Sequence, residues 1–144
     1  MQPATDPSAA PALDEAAPGA ATRKRPRPGE RRVQILQVLA QMLEQPGAER
    51  VTTAALAARL EVSEAALYRH FASKAQMFEG LIDFIESTVF GLINQISERE
   101  ADGRARAARI VAMVLQFGEK NPGMTRVMVG DALVFEHERL QQRM

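Results

Sequence analysis

The feature that most constrains the fold of this chain is a tight turn between two short stretches of helical apolar spacing. The apolar positions before and after the turn are Leu56, Ala57, Leu60, Leu67 and Phe71. The turn itself, residues 61–63, is only three residues long, so the two helices must cross with a small residue between them. Ala57 supplies that residue, and Val62 is an apolar residue that can be buried in the turn. The pattern therefore predicts a helix-turn-helix.

One position of the turn departs from the usual composition. Such turns commonly place Gly where Glu61 stands, because that residue adopts a left-handed backbone conformation. A residue with a Cβ atom in that conformation costs about 1 kcal/mol. We expect Glu61 to adopt the left-handed conformation at that cost.

The second helix of the motif separates an apolar face from a face suited to nucleic acid. On a wheel of about 100° per residue, Ala65 and Arg69 lie opposite the apolar side, and Tyr68 and His70 project from the two flanks. A small residue lets the helix approach base edges in the major groove, while Tyr68 and His70 can donate hydrogen bonds to phosphates. The pattern is typical of a recognition helix. The alternatives are that Tyr68 is a core-edge aromatic and His70 an ordinary surface histidine.

Polar residues at helix starts supply further candidate phosphate contacts. Thr52 or Thr53 caps the first helix of the motif, and Ser63 caps the second. Lys74 begins the helix that follows. Glu64 is best explained by attraction to the N-terminal end of the helix dipole. The predicted DNA-binding residues are Arg32, Thr52, Thr53, Ser63, Ala65, Tyr68, Arg69, His70 and Lys74.

Charge is unevenly distributed along a chain whose formal net charge is zero. Residues 1–22 are rich in Ala and Pro, carry no basic residue and are predicted to be disordered. Residues 23–32 hold six basic residues and a single acidic one, Glu30. We expect an extended basic arm that leads into a helix near Glu30 and can approach nucleic acid. A solvated solubility tail is the alternative.

The composition excludes several kinds of site. The chain has no cysteine, which excludes disulfides, thiolate metal sites and cysteine nucleophiles. His70 and His137 are too far apart in sequence for a local metal pair, and no glycine-rich phosphate loop occurs. We therefore predict a protein that is not an enzyme, with no catalytic residue, metal or cofactor. No apolar run approaches the ~20 residues that span a bilayer, and we expect a cytoplasmic protein with no membrane partner.

The second half of the chain is predicted to be helical. A helix from about 74 to 97 carries one apolar stripe, with Phe84 and Phe90 off that stripe on opposite sides. An off-stripe aromatic is either covered by a neighbouring helix or offered to a partner. A helix from about 104 to 119 has two apolar rows, so we expect it to be buried on more than one side.

The sequence KNPGM is predicted to end that helix in a turn. Asn121 precedes Pro122 and is biased away from helix, and Gly123 completes the turn. Lys120 and Asn121 are therefore expected at an exposed helix end. Residues 131–144 are predicted to form an amphipathic helix.

Residues 52–78 resemble the DNA-binding domain of the TetR family of regulators. The hallmark of that family is a recognition helix that ends in Tyr-x-His-Phe, which here runs from Tyr68 to Phe71. A Lys at the start of the next helix, here Lys74, completes the motif. The resemblance implies an all-α fold in which a three-helix DNA-binding domain precedes a helical regulatory domain.

The predicted organisation follows from this resemblance together with the charge pattern. We place a disordered tail over 1–22, a basic arm and helix-turn-helix domain over 23–74, and a regulatory and partner-binding domain over 75–144. TetR-type proteins normally need later helices to build a four-helix dimer interface. Relative to the family, we expect the domain over 75–144 to be incomplete at its C-terminal end and to lack the dimer helices.

Further segments resemble one branch of this family, the SlmA-type nucleoid occlusion factors. These segments are VTTAALAARL, VSEAALYRHF, LIDFIE and FGEKNPGMTRVMVGDALVFEHERLQQR. The resemblance implies a homodimer that binds specific chromosomal sites in the nucleoid and, when bound to DNA, inhibits assembly of the division protein FtsZ. It assigns Phe84, Lys120 and Asn121 to FtsZ binding. The family often has Arg where Lys120 stands, and Lys keeps the charge but not the bidentate geometry.

Two other functions share parts of this pattern. A TetR-type transcriptional repressor would use the same DNA-binding half and would bind a small-molecule ligand in its second half. An interaction protein that binds no DNA is the third possibility. An enclosed cavity among the later helices would favour the repressor, whereas an open groove that contains Phe84 and Lys120 would favour FtsZ binding.

Overall fold

The computed structural model describes residues 26–27, 29–45, 50–134 and 136–144. All regular secondary structure in these ranges is helical, which confirms the predicted all-α fold. The predicted tail over 1–22, the three basic residues at 23–25, and the Pro46–Gly47 end of the first helix lie outside the described residues.

The described residues form seven α-helices and one short 3-10 helix. They are α1 (Glu30–Leu43), α2 (Thr53–Leu60), α3 (Glu64–Tyr68), α4 (Lys74–Arg99), α5 (Gly103–Lys120), α6 (Pro122–Met128), the 3-10 helix Asp131–Leu133 and α7 (Glu138–Arg143). The bounds of α4 and α5 agree with the predicted helices to within two residues, and α1 begins at Glu30 as predicted. The helix α6 was not predicted.

One continuous apolar core runs through the described part of the molecule. The helix-turn-helix contributes Leu67 and Phe71, which are buried as predicted, and the first half of α4 contributes Phe78. The C-terminal segment reaches the same core through Leu133 and Leu140, both fully buried. The apolar face of the recognition helix α3 is thereby held in place, and its outer face is left to solvent.

The turn between α2 and α3 confirms the prediction for Glu61. Its backbone is left-handed, with φ 55° and ψ 42°. The N–H of Val62 donates to the carbonyl of Ala57 at 3.0 Å, and the N–H of Glu61 donates to that of Ala58 at 3.1 Å. These two bonds form a Schellman motif, which satisfies the last carbonyls of α2. Val62 itself is half-buried rather than fully buried.

The prediction that Gly123 completes a turn is wrong, because this glycine lies inside α6. Pro122 ends α5 but begins α6, where its missing N–H has no helical partner to lose. Gly123 is buried against α1, and a Cβ atom added there would lie 2.0 Å from the carbonyl oxygen of Ala40. The backbones of α1 and α6 can approach this closely only because residue 123 has no side chain.

A side chain from α6 caps the C-terminal end of α1. The guanidinium of Arg126 donates from Nη1 to the carbonyl of Leu43 at 2.7 Å and from Nε to Asp131 at 2.7 Å. A cation at this end of a helix also opposes the negative end of the helix dipole. Arg126 therefore ties α1, α6 and the 3-10 helix together.

The prediction of one helix over 131–144 is wrong. Gly130 adopts a positive φ of 80°, and only Asp131–Leu133 form a 3-10 helix before the chain bends. A new helix, α7, begins at Glu138, where the Nδ1 atom of His137 accepts a hydrogen bond from the N–H of Arg139 at 3.1 Å. Glycine and a local side-chain cap therefore divide a segment whose apolar spacing looks continuous.

Burial of α4 and α5 is lower than predicted. The apolar stripe of α4 is fully buried up to Ile85, but Val89, Leu92 and Ile93 are only half-buried. No residue of α5 is fully buried, and Val111 and Leu115 are 59% and 64% exposed. The expectation that α5 is buried on more than one side is therefore wrong for the described part of the chain, where α5 packs mainly on α4 and α6.

Candidate DNA-binding face and partner groove

Two cap residues place hydroxyl groups on the surface of the helix-turn-helix. Thr52, not Thr53, caps α2, and its Oγ1 accepts from the N–H of Ala55 at 3.1 Å. Ser63 caps α3 in the same way through the N–H of Ala66, at 3.2 Å. In both caps the hydroxyl acts as an acceptor, so its own hydrogen is left to donate to a phosphate.

A hydrogen-bonded group links the start of α2 to the recognition helix. Thr53 Oγ1 donates to Glu64 Oε2 at 3.1 Å, and the hydroxyl of Tyr68 donates to Thr53 Oγ1 at 3.5 Å. Tyr68 is 44% exposed, so it projects from the flank of α3 as the helical wheel predicted. The sequence analysis accounted for Glu64 by its attraction to the helix dipole alone. The structure shows that Glu64 also accepts a hydrogen bond from Thr53.

The recognition helix is short, and its last residues form a tightened turn. The α-helix proper ends at Tyr68, and the N–H of His70 donates to the carbonyl of Leu67 at 3.0 Å. Ala65 and Arg69 are exposed on the outer side, and His70 is half-buried. Ala65, Tyr68 and Arg69 are therefore accessible to a ligand, and His70 is accessible in part.

Arg32 joins α1 to the end of the recognition helix. Its guanidinium lies 4.2 Å from the centre of the Phe71 ring and donates from Nη1 to the carbonyl of His70 at 3.0 Å. The cation–π contact and the hydrogen bond hold α3 against α1. Sequence reasoning assigned Arg32 to DNA and did not detect this second role, because its partners lie 38 positions away.

Lys74 also has a protein partner. Its Nζ atom lies 2.7 Å from Glu136 Oε1, and the two side chains are only 21% and 8% exposed. The pair connects the first residue of α4 to the segment between the 3-10 helix and α7. A lysine has three donor hydrogens, so the bond to Glu136 leaves others that can reach a phosphate.

A second surface feature, which we call the partner groove, lies where α1, α4, α5 and α6 meet. It has a volume of about 590 Å³ and is lined by Gln37, Ala40, Gln41, Glu44, Phe84, Thr88, Phe117, Asn121 and Met124. Phe84 and Phe117 are half-buried and pack against the core, whereas Gln37, Gln41 and Glu44 on α1 are exposed. The groove is thus apolar at its base and polar along its α1 wall.

Of the three residues assigned to a partner, Phe84 and Asn121 line this groove and Lys120 does not. The Nδ2 atom of Asn121 donates to the carbonyl of Phe117 at 2.9 Å, which holds its side chain at the end of α5. Lys120 is the last residue of α5 and is exposed, as predicted, next to the groove in the chain. Phe90 on the opposite flank of α4 is 57% exposed and lies outside the groove.

Neither a metal centre nor a membrane span is found among the described residues. No group of three or more His, Cys, Asp or Glu side chains comes together there in a way that could hold a metal ion. None of the described helices combines the length and the apolarity that crossing a bilayer requires.

Comparison with family models identifies both halves of the described fold. Residues 35–81 match the model of the bacterial regulatory proteins of the tetR family, and residues 101–144 match a tetracyclin repressor-like C-terminal domain of the SlmA-like type. This chain belongs to the TetR family. Most of the candidate DNA-binding residues of this TetR chain, from Thr52 to Lys74, lie in the first match, and Lys120 and Asn121 lie in the second.

Three curated relatives of this TetR chain carry the same name. The chain is 56% identical over 119 residues to the nucleoid occlusion factor SlmA of Aliivibrio fischeri strain MJ11, covering 82% of the chain and 61% of the relative. It is 58% identical over 114 residues to that of Idiomarina loihiensis, covering 79% and 58%. It is 59% identical over 114 residues to that of Marinomonas sp. strain MWYL1, again covering 79% and 58%. The chain spans about 60% of the length of these relatives.

The named relatives belong to the SlmA group of the TetR family, which the sequence motifs had indicated. Neither the family nor the relatives are named as a class of enzyme.

Proposed function

We propose that this chain is the DNA-binding and partner-binding part of a nucleoid occlusion factor. In this proposal the protein binds specific chromosomal sites and, once bound, inhibits FtsZ ring assembly over the nucleoid. The observation that carries the proposal is the exposed recognition face at residues 63–70, in a chain 56% identical to a protein named nucleoid occlusion factor SlmA. The protein would act in the cytoplasm, at the nucleoid.

The DNA-binding step follows from the layout of the helix-turn-helix. Ala65 presents a small side chain where α3 would approach base edges, and a larger residue would prevent close approach. Tyr68, Arg69 and His70 surround it with hydrogen-bond donors, and the cap hydroxyls of Thr52 and Ser63 add two more. A face of this kind reads sequence through α3 and holds its position through phosphates.

The partner-binding step is supported by the shape and chemistry of the partner groove. Its apolar base at Phe84 and Phe117 can bury side chains of an extended segment, and its polar wall on α1 can pair with backbone groups. Lys120, exposed beside it, supplies a positive charge for an acidic tail of FtsZ. Because the α1 wall is exposed, the groove suits a docked chain better than an enclosed small molecule.

A homodimer is part of the same proposal. Two-fold dimers of helix-turn-helix proteins read two half-sites about one helical turn apart, ~34 Å. Sedimentation of a form extended to the full length of the relatives, alone and with DNA, would measure the stoichiometry, because the chain spans about 60% of that length. Two protomers per DNA site are expected, and a single protomer on a one-half site would contradict the dimer.

DNA binding is tested by fluorescence anisotropy on sites selected from random DNA. Ala65→Gln should weaken specific binding by ~10-fold or more, because the larger side chain blocks approach to the bases. His70→Ala should weaken binding to all sequences, because it removes a phosphate donor. Ala107→Gln, on the exposed side of α5, is the matched control and should bind like the unmodified protein. Unchanged affinity in both test variants would reject the recognition-helix assignment.

FtsZ inhibition is tested by light scattering of FtsZ polymers, with and without the selected DNA. Loss of polymer should be strongest when DNA is present and should be abolished by Phe84→Ala, which removes the base of the partner groove. Phe90→Ala on the other flank of the same helix is the matched control, since it also removes an aromatic ring. Equal effects of the two variants would show that the groove is not the partner site. No loss of polymer under any condition would favour a ligand-responsive repressor.

A further inference from the structure

Glu64 places a negative charge on the face that the proposed function assigns to DNA. It is the first residue of α3, directly before Ala65, and it is exposed. Within the described part of the chain, no Lys or Arg forms an ion pair with it. A carboxylate in this position repels the phosphates of a DNA duplex. Attraction to the helix dipole explains its effect on α3 but not its place on this face.

Hydrogen bonds from α2 and α3 hold this carboxylate in position. Thr53 Oγ1 donates to Glu64 Oε2 at 3.1 Å, and the hydroxyl of Tyr68 donates in turn to Thr53 Oγ1 at 3.5 Å. The second carboxylate oxygen of Glu64, Oε1, has no hydrogen bond within the described residues. Because an ionised carboxylate can only accept hydrogen bonds, Oε1 is an acceptor that is free for a donor outside the protein.

The edges of the bases differ in whether they offer such a donor. In the major groove cytosine presents the amino group on N4, whereas guanine presents the acceptors N7 and O6 and thymine presents the acceptor O4. Adenine has a donor on N6, but the acceptor N7 lies beside it. A carboxylate is therefore favoured next to cytosine and repelled by the acceptor edges. The N-terminal residues of a recognition helix are the ones that contact base edges, and Glu64 is the first residue of α3.

We propose that Glu64 is a specificity-determining residue, whose carboxylate accepts a hydrogen bond from the N4 amino group of a cytosine in each half-site. This inference rests on the proposed function and names one base of the DNA that the protein binds. Thr53 is a positioning residue in this role, because it holds the carboxylate through Oε2 and leaves Oε1 for the base. The charge of Glu64 also lowers the affinity for sites without this cytosine, so the residue acts largely by rejecting other sequences.

The experiment measures affinity by fluorescence anisotropy on the selected site and on sites that carry each of the other three bases at every position of the half-sites. It uses the form extended to the full length of the relatives, since the chain spans about 60% of that length. The unmodified protein should prefer cytosine at one position of each half-site by about 10-fold, the discrimination of one good base contact. In Glu64→Ala the four bases at that position should bind within about 2-fold of one another, with the other positions unchanged. Affinity for random DNA should rise, because a charge that repels phosphates is removed.

Two further variants separate base reading from a structural role of Glu64. Glu64→Gln has nearly the same size, but its amide both donates and accepts, which matches N7 and N6 of adenine. Its preference should move from cytosine to adenine, and a structural role would not produce that change. Thr53→Val removes the donor to Oε2 and should weaken the cytosine preference without changing the preferred base. Glu98→Gln, exposed near the end of α4, is the matched control and should leave every preference unchanged.

The outcomes separate this inference from the proposed function. If Glu64→Ala and Glu64→Gln keep the base preferences of the unmodified protein while Ala65→Gln loses specific binding, the inference is overturned and the proposed function stands. An equal loss of affinity on all sites in Glu64→Ala, with folding confirmed by circular dichroism, would also overturn it and leave Glu64 a structural role. If the unmodified protein binds selected and random DNA equally, the proposed function fails as well.

Discussion

Several side chains around the recognition helix have a partner within the protein, and the proposed function also assigns them to DNA. Thr52 is the clearest case, because its Oγ1 accepts from Ala55 while its hydrogen stays available. The sequence could narrow the cap to Thr52 or Thr53, since cap preferences are local. It could not show that Arg32 contacts Phe71 or that Lys74 contacts Glu136, because those partners are distant in the chain.

The contribution of the Thr52 cap to stability can be tested by substitution. Thr52→Ala should lower the free energy of unfolding by about 1 kcal/mol, because an N–H of α2 loses its acceptor. Thr52→Asn keeps a capping oxygen and should stay within a few tenths of a kcal/mol of the original. Urea denaturation followed by circular dichroism measures both. A loss of stability in the Asn variant equal to that in the Ala variant would show that the cap is not the cause.

At the level of elements, the close approach of α1 and α6 depends on Gly123. Gly123→Ala should destabilise the protein by about 2 kcal/mol or more, because the added Cβ would meet the backbone of Ala40 and force the two helices apart. The same change would distort the partner groove, which Ala40 and Met124 line. Thermal denaturation measures the first effect.

Gly91 provides the control for that substitution. It lies inside α4, and a Cβ atom added there would meet nothing within 4 Å. Gly91→Ala should therefore stabilise the protein by about 0.5–1 kcal/mol through helix propensity alone. If Gly123→Ala were as well tolerated as Gly91→Ala, the helix crossing described here would be wrong.

The sequence failed to predict α6 for an identifiable physical reason. Pro122 and Gly123 indicate a turn when they are read locally, but Pro suits the first position of a helix and Gly suits a close crossing. The crossing partner, Ala40, is 83 positions away from Gly123 and leaves no trace near it in sequence. The candidate DNA-binding face was easier to predict, because its turn, caps and outer residues all lie within 20 positions of one another.

At the level of the whole molecule, a row of ion pairs joins α4 to the C-terminal segment. Lys74 pairs with Glu136, and Glu79 pairs with Arg139 at 2.5 Å. Arg143 pairs with both Asp83 and Glu86, and the hydrogen bond that Arg143 donates to Asp83 is the main cause that raises the pKa of Arg143 above its ordinary value. Because the pKa of Arg143 is raised in the folded state, its ion pairs stabilise the fold at every pH below the ordinary arginine pKa. This stabilisation is lost only in strong alkali, so it produces no pH dependence near neutrality.

The Lys74–Glu136 pair allows a test of the two roles of Lys74. Lys74→Met should cost about 2 kcal/mol, because it leaves the buried Glu136 carboxylate without its cation. Combining it with Glu136→Gln should recover much of that stability, since no charge remains buried. DNA affinity should stay low in both variants, because the phosphate-binding cation is absent. Urea denaturation and anisotropy measure the two properties, and recovery of DNA affinity in the double variant would remove Lys74 from the DNA-binding face.

Helix α1 takes part in both surfaces, and this has a mechanical consequence. Near its start, Arg32 donates a hydrogen bond to the end of the recognition helix. Near its end, Gln41 and Glu44 form a wall of the partner groove. The 12 residues between Arg32 and Glu44 correspond to a rod of about 18 Å. A rotation of α1 by about 10° about its Arg32 end would move its Glu44 end by about 3 Å, roughly the donor–acceptor distance of one hydrogen bond. Any rigid-body tilt of α1 that accompanied binding at one surface would therefore also move residues of the other.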